Sequence, residues 1–467
     1  MVFKQTVVGW SVASALLVMS GSAAASGFAL IEQSGSGLGN AYAGGAASAE
    51  DASTIFYNPA GMSRLGGSQM VVAANAIRPS AKFSNGSSVT ASLQTLGGNG
   101  GDAGDWALVP NAYFMMEVNP QTRIGLGING PFGLQTEYDT TWMGRFQAVK
   151  SKIETINLNP SISYQASDSF SIGAGLNYQH IKGDLSSAVN FAGGVYSAVF
   201  GATASAAAAG AAATAAIAAG QGEGTSVING SDSAWGYNLG MLFNVSPQTR
   251  LGLAYRSTIK YTLTGSASFS ANRPSAAVLT PVVGAGAAAA VAAGVAAATA
   301  DGAVNLPIKM PDTFSASVFH QLNDKWDIMA DATRTGWSVL QQLKIDRTTG
   351  TNLTTVPENW RDTWRVSVGA NHHYNEKWTA RVGLAYDQTP TSDTFRTARI
   401  PDENRTWLAL GGQYKPSRES AVNFGYAHLF VNDASIADNQ SAAGKGSLVG
   451  SYKNSVDILS MQYTRSF

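Results

Sequence analysis

The chain has 467 residues, no Cys, 51 Gly and 13 % charged residues, with 30 basic and 30 acidic side chains. Soluble globular chains carry about 25 % charged residues, and here small and polar residues fill the shortfall rather than Leu or Ile. The 18 Phe, 16 Tyr and 10 Trp argue against disorder, balanced charge exerts no general pull toward nucleic acid or anionic lipid, and the lack of Cys excludes a disulfide scaffold, a thiolate metal site and a Cys nucleophile.

Residues 1–25 read as a secretory signal peptide: Lys4 gives the positive start, the stretch 7–19 is apolar, and Ala23-Ala24-Ala25 offers small residues for cleavage. A short N-terminal anchor is the competing reading. Residues 26–66 are rich in Gly and Ala and lack a period-two run. So long a segment is expected to be folded somewhere in the molecule.

From residue 67 onward the chain alternates. Phe170, Ile172, Ala174, Leu176 and Tyr178 oppose Ser171, Gly173, Gly175, Asn177 and Gln179. Leu251, Leu253, Tyr255, Ser257, Ile259, Tyr261 and Leu263 form one face of a run to Phe269, and Gly252, Ala254, Arg256, Thr258 and Lys260 form the other. Trp378, Ala380, Val382, Leu384 and Tyr386 repeat the pattern. Such runs far exceed the usual strand of about 5–6 residues. With one apolar and one polar or Gly-rich face, they are what a lipid-facing barrel requires, because every backbone amide inside hydrocarbon must be paired and the sheet must close.

Short polar turns recur at 119–122, 167–169, 246–249, 323–325, 375–377 and 416–419. Six such turns on the side that also holds both termini imply an all-β, 14-stranded antiparallel transmembrane barrel over residues 67–467. The Ala-rich stretches near 185–230 and 271–305 are read as long extracellular loops, partly helical because Ala has the best helix propensity. Leu459, Met461, Tyr463, Arg465 and Phe467 share one face of the last strand, and the terminal Phe467 resembles the signal read by the outer-membrane barrel assembly machinery. A barrel of that size encloses more space than side chains fill, which makes the lumen the natural place for residues 26–66. A large soluble β-protein is the alternative.

The stretch 26–65 resembles the start of the long-chain fatty acid outer-membrane transporters of the FadL type, which include channels for aromatic hydrocarbons. Gly27-Phe28, Ser36-Gly37-Leu38-Gly39-Asn40-Ala41-Tyr42, Glu50-Asp51-Ala52 and Asn58-Pro59-Ala60 carry the likeness, joined by RTGWSVLQQLK (334–344), RIPDENRTWLALGGQY (399–414) and the last strand. The resemblance implies that residues 26–66 form a hatch plugging the barrel. It also implies that ligand meets an extracellular groove, enters a pocket beside the hatch and leaves sideways at a kinked third strand. Phe28 then stands where the family's N-terminal aromatic touches ligand, and Asn58, Pro59 and Ala60 lie where hatch meets wall.

Within the third strand, Gly130-Pro131-Phe132-Gly133 interrupts a good strand beginning at Ile124. Pro cannot donate to a ladder, so the strand is expected to bend and leave local pairing unmade, marking a lateral gate; a strand that ends at Asn129 is the competing reading. Arg256, Lys260 and Arg381 are placed in the lumen by alternation as partners for a ligand carboxylate. The five His show no metal spacing, and no GxSxG elbow occurs; no enzyme, no cofactor and no metal is expected. The resulting expectation is passive uptake of long-chain fatty acids by a monomer in contact with outer-membrane lipid, without nucleic acid. Aromatic or alkane hydrocarbon uptake is the alternative, and a surface-exposed structural or adhesin-like barrel is the second.

Overall fold

A computed structural model describes residues 27–467, so the segment read as a signal peptide lies outside the described residues. Among the described residues the strands are β1 (Ser68–Asn85), β2 (Ala107–Asn119), β3 (Thr122–Asn129, resumed at Gly133–Glu137), β4 (Lys150–Ser167), β5 (Phe170–Val189), β6 (Gly224–Asn244) and β7 (Thr249–Arg256, resumed at Ile259–Phe269). They continue as β8 (Gly302–Met310, resumed at Thr313–Asn323), β9 (Trp326–Thr335, resumed at Gln342–Arg347) and β10 (Asn352–Pro357, resumed at Thr363–His373). β11 (Trp378–Asp387), β12 (Arg405–Ser417), β13 (Ser420–Val431, resumed at Ala434–Asn439) and β14 (Ser447–Ser466) complete the set. Each strand pairs antiparallel with its sequence neighbour, and β1 pairs with β14 from Gln69 opposite Ser466 to Asn85 opposite Gly450. The result is a closed 14-strand barrel.

The outward face is apolar in its middle, with Val366, Val368, Leu408 and Leu410 exposed. Aromatic side chains flank that band at both ends, among them Trp235, Tyr237, Trp364 and Tyr386 on one side and Tyr164, Trp326, Trp378 and Tyr463 on the other. This is the banding of a bilayer-spanning barrel. Among the described residues no helix is long and apolar enough to cross a membrane.

The Ala-rich stretches are more helical than loops. They form α3 (Phe191–Thr203) and α4 (Ala206–Ala218) between β5 and β6, and α5 (Ala276–Val283) and α6 (Ala285–Ala298) between β7 and β8, after the single-turn α1 (Gly45–Ser48) and α2 (Thr54–Tyr57). Asn190 and Ser205 cap α3 and α4 by accepting from Gly193 N–H at 2.9 Å and Ala208 N–H at 3.2 Å. Phe191, Val195, Ala212, Leu279, Val291 and Val295 pack the four helices against one another.

The alternation from Leu251 to Phe269 is not continuous. β7 breaks at Ser257-Thr258, where Ser257 Oγ accepts from Tyr237 N–H at 2.9 Å in place of a ladder carbonyl. One inserted residue exchanges the two faces. Arg256 therefore points inward before the break, whereas Ile259, Tyr261 and Leu263 point inward after it. Lys260 is thus outward and exposed, opposite the outward Lys309 of β8, which corrects its expected place in the lumen.

Candidate ligand passage

Residues 27–66 run through the lumen. Arg365 of β10 donates to Ala41 C=O at 2.8 Å, Asn75 of β1 donates to Glu32 C=O at 2.8 Å, and Gln462 of β14 accepts from Gly35 N–H at 2.8 Å. The wall makes room with glycine. A Cβ on Gly240 would overlap Asn58 Oδ1, and one on Gly383 would overlap the Asn40 backbone. Asn58 Nδ2 donates to Ala46 C=O at 2.6 Å and, across to β6, to Met241 C=O at 2.9 Å, while its Oδ1 accepts from Ala60 N–H at 3.0 Å. Pro59 opens the turn Pro59–Arg64, where its missing N–H costs nothing. The Asn58-Pro59-Ala60 corner is therefore a wall contact.

β3 is interrupted where the Pro131 motif stands. The ladder to the next strand is unmade at residues 130–132, as expected, but most of the freed backbone groups find other partners. Gly130 C=O accepts from Gln33 Nε2 at 2.9 Å, and Pro131 C=O accepts from Leu30 N–H at 2.8 Å. Gly133 N–H donates to Phe28 C=O at 2.9 Å. Phe132 N–H donates to Thr155 Oγ1 at 2.9 Å, and that hydroxyl donates to Phe132 C=O at 2.7 Å. A buried unpaired group would cost about 1–3 kcal/mol, and the N-terminal segment supplies most of what the neighbouring strand cannot. Below the kink, Asn157 donates to Asn129 at 3.1 Å and to Asn177 at 3.0 Å, and Asn177 donates to Asn238 at 3.0 Å.

Phe28 is buried in an aromatic nest, 4.7 Å from Trp337, 5.5 Å from Trp360 and 6.1 Å from Phe132 between ring centroids. Ile259, Tyr261, Ile308 and Met310 complete the nest from the inner faces of β7 and β8, so the break in β7 is what gives it apolar walls. Beside it lies a cavity of about 120 Å³ lined by Leu30, Tyr57, Pro59, Pro131, Phe132 and Arg256. Small-molecule pockets usually occupy about 300–1,000 Å³, so this cavity is smaller than an ordinary ligand site.

The three basic candidates do not meet. Arg256 reaches the cavity but donates to Asn177 Oδ1 and, at 2.9 Å, to Phe56 C=O, with its guanidinium 4.3 Å from the Phe56 ring centroid. Arg381 is buried in a pair with Glu50 and donates to Ser36 C=O, a tie between wall and N-terminal segment. Lys260 is outside. Sequence reasoning missed Gln33, Thr155, Trp337 and Trp360 as residues of the passage. Trp337 stood inside a matched motif, whereas nothing local marked Thr155 or Trp360. Among the described residues no group of His, Asp and Glu is arranged to hold a metal ion.

The profile of a family described as outer membrane protein transport protein (OMPP1/FadL/TodX) matches residues 16–467. The long-chain fatty acid transport protein of Escherichia coli K12 is 29 % identical over 460 residues, covering 95 % of this chain and 97 % of that one. Outer membrane protein P1 of Haemophilus influenzae is 32 % identical, covering 89 % of this chain and 88 % of its own length. The crystal structure of a Pseudomonas aeruginosa FadL homologue superposes with a TM-score of 0.80 at 25 % identity, covering 94 % of this chain and 100 % of that one. With the closed barrel, its lipid-facing band and the filled lumen, these matches establish that the chain is an outer-membrane protein belonging to the OMPP1/FadL/TodX transport family.

Proposed function

We propose that the protein is a passive channel for hydrophobic compounds, with long-chain fatty acids as the principal substrate. Residues 27–66 act as the hatch, and ligand leaves sideways at the β3 kink into the outer leaflet. The observation that carries this reading is the dual role of the Phe28–Leu30 segment. Its backbone completes the hydrogen bonding of Pro131 and Gly133, while its Phe28 ring fills the aromatic nest. A ligand that displaces Phe28 from the nest removes the same segment from the wall, so filling the pocket and opening the gate become one event.

A hydrocarbon substrate is the second reading. It is favoured by the occupied state of Arg256 and Arg381, whose guanidinium groups are already held by Phe56 C=O and by Glu50. Titration of the detergent-folded barrel with oleate, with toluene as competitor, separates the two. Saturable oleate binding that toluene does not displace supports the fatty acid reading, and weak oleate binding displaced by toluene supports hydrocarbon uptake. The gate has its own test. In Pro131→Ala with Gly133→Ala, an added N–H contributes about 1 kcal/mol to the closed wall, so uptake of labelled oleate should fall about fivefold in a barrel that still folds. Undiminished uptake would refute the exit at β3.

A further inference from the structure

Above the nest the barrel opens into a vestibule of about 890 Å³. Leu185, Ile228, Leu343 and Ile345 line both this vestibule and the smaller apolar pocket beneath it, so the two share a wall. Two basic side chains from separate connections face the vestibule: Arg399, between β11 and β12, and Lys445, just before β14. Arg399 Nη1 is held by neutral partners, donating to Lys150 C=O at 3.1 Å and Ser151 Oγ at 3.0 Å. Lys445 is fixed through its backbone, its C=O accepting from Gln147 Nε2 at 3.0 Å. Among the ion pairs of the described residues neither side chain appears, although each is mostly buried.

One charged carboxylate, Asp438, lies near both cations and favours their charged forms. Asp438 lines the same vestibule. Glu358 lies buried behind Trp360, whose Nε1 donates to it at 3.1 Å, and burial raises its pKa to about 8, leaving it largely protonated at neutral pH. Burial lowers the Arg399 pKa to about 10, and burial together with the Arg399 charge lowers that of Lys445. Two partly desolvated cations thus share the vestibule with one charged carboxylate, at the top of an apolar wall. A second anion placed beside them would offset their desolvation.

We propose that Arg399 and Lys445 form a headgroup site that takes the carboxylate of a long-chain amphiphile, its alkyl chain lying along Leu185, Leu343 and Ile345 toward the nest. This rests on the fatty acid reading above and gives it the cationic site that Arg256, Lys260 and Arg381 do not supply. A neutral hydrocarbon would use the same wall without the headgroup site.

The test compares wild type with Arg399→Gln, Lys445→Gln and the charge-retaining Arg399→Lys, each folded in detergent and titrated with oleate and with oleyl alcohol. Oleate affinity should fall about tenfold in each Gln variant, stay near wild type in Arg399→Lys, and oleyl alcohol affinity should not change. Unchanged oleate affinity in the Gln variants, or an equal loss for both ligands, would overturn the site while leaving the fatty acid reading intact. If wild type binds toluene but not oleate, or binds none of these ligands, the fatty acid reading fails and the site fails with it.

Discussion

Glu32 shows how one residue can couple the N-terminal segment to its surroundings. Its carboxyl is wholly buried in the N-terminal segment, and burial raises its pKa from 4.5 to about 7, although Arg365 and Arg405 pull the other way and Asp387 adds to the rise. A carboxyl with a raised pKa favours the seated state while protonated. That contribution is fully present below pH 4.5 and is lost as pH rises to about 7, at about 1.4 kcal/mol per unit, with no further change above. Single-channel conductance, read as hatch opening, should therefore climb between those pH values and level off beyond them. Glu32→Gln should flatten the profile; a variant that keeps the wild-type slope would assign the dependence to another group. Lys260 carries the opposite lesson. Its charge was readable and its direction was not, because a one-residue break nearby reverses the faces.

Among the elements, the interrupted strands β3 and β7 carry the proposed gate and the walls of the aromatic nest. β3 was recognisable from Pro131, whose missing N–H conflicts with a central strand. The break in β7 carries no proline and uses Ser257 to stand in for the ladder, which leaves no plain mark in the sequence. The external helices form an element of their own. Phe191 is buried among the helices, and its Cε2 lies where a side chain on Gly224 would begin. Truncation of such a side chain typically costs about 3–5 kcal/mol. Phe191→Ala should expose residues 190–223 to limited proteolysis while the barrel keeps its resistance to heat in detergent. Protection equal to wild type would mean that the helices are held from elsewhere.

For the whole molecule, closure and filling are separate problems. The β1–β14 ladder removes the edge that an open sheet would present to lipid. Filling depends on residues 27–66, tied to the wall by Arg365, Arg381, Asn75 and Gln462 and admitted by glycines such as Gly240 and Gly383. A chain lacking residues 27–66 should assemble and pass ions steadily in planar bilayers, where the intact chain conducts little. Equal conductance of the two would sink the plug.

The sequence by itself determined the barrel, its strand number and the family. Period-two alternation, turn chemistry and a shortage of charge are local signals, and the lipid demand for paired backbone converts them into one closed architecture. The N-terminal motif and Pro131 were legible for the same reason, since each conflicts with or repeats a local pattern. Tertiary structure alone decided what seals the kink, which inner faces are apolar and which cations remain unpaired. Leu30 meets Pro131, Phe28 meets Trp360, and Arg399 shares a vestibule with Lys445 only because the barrel closes. Contacts between residues so far apart in the chain depend on register, and one inserted residue is enough to exchange what faces ligand with what faces lipid.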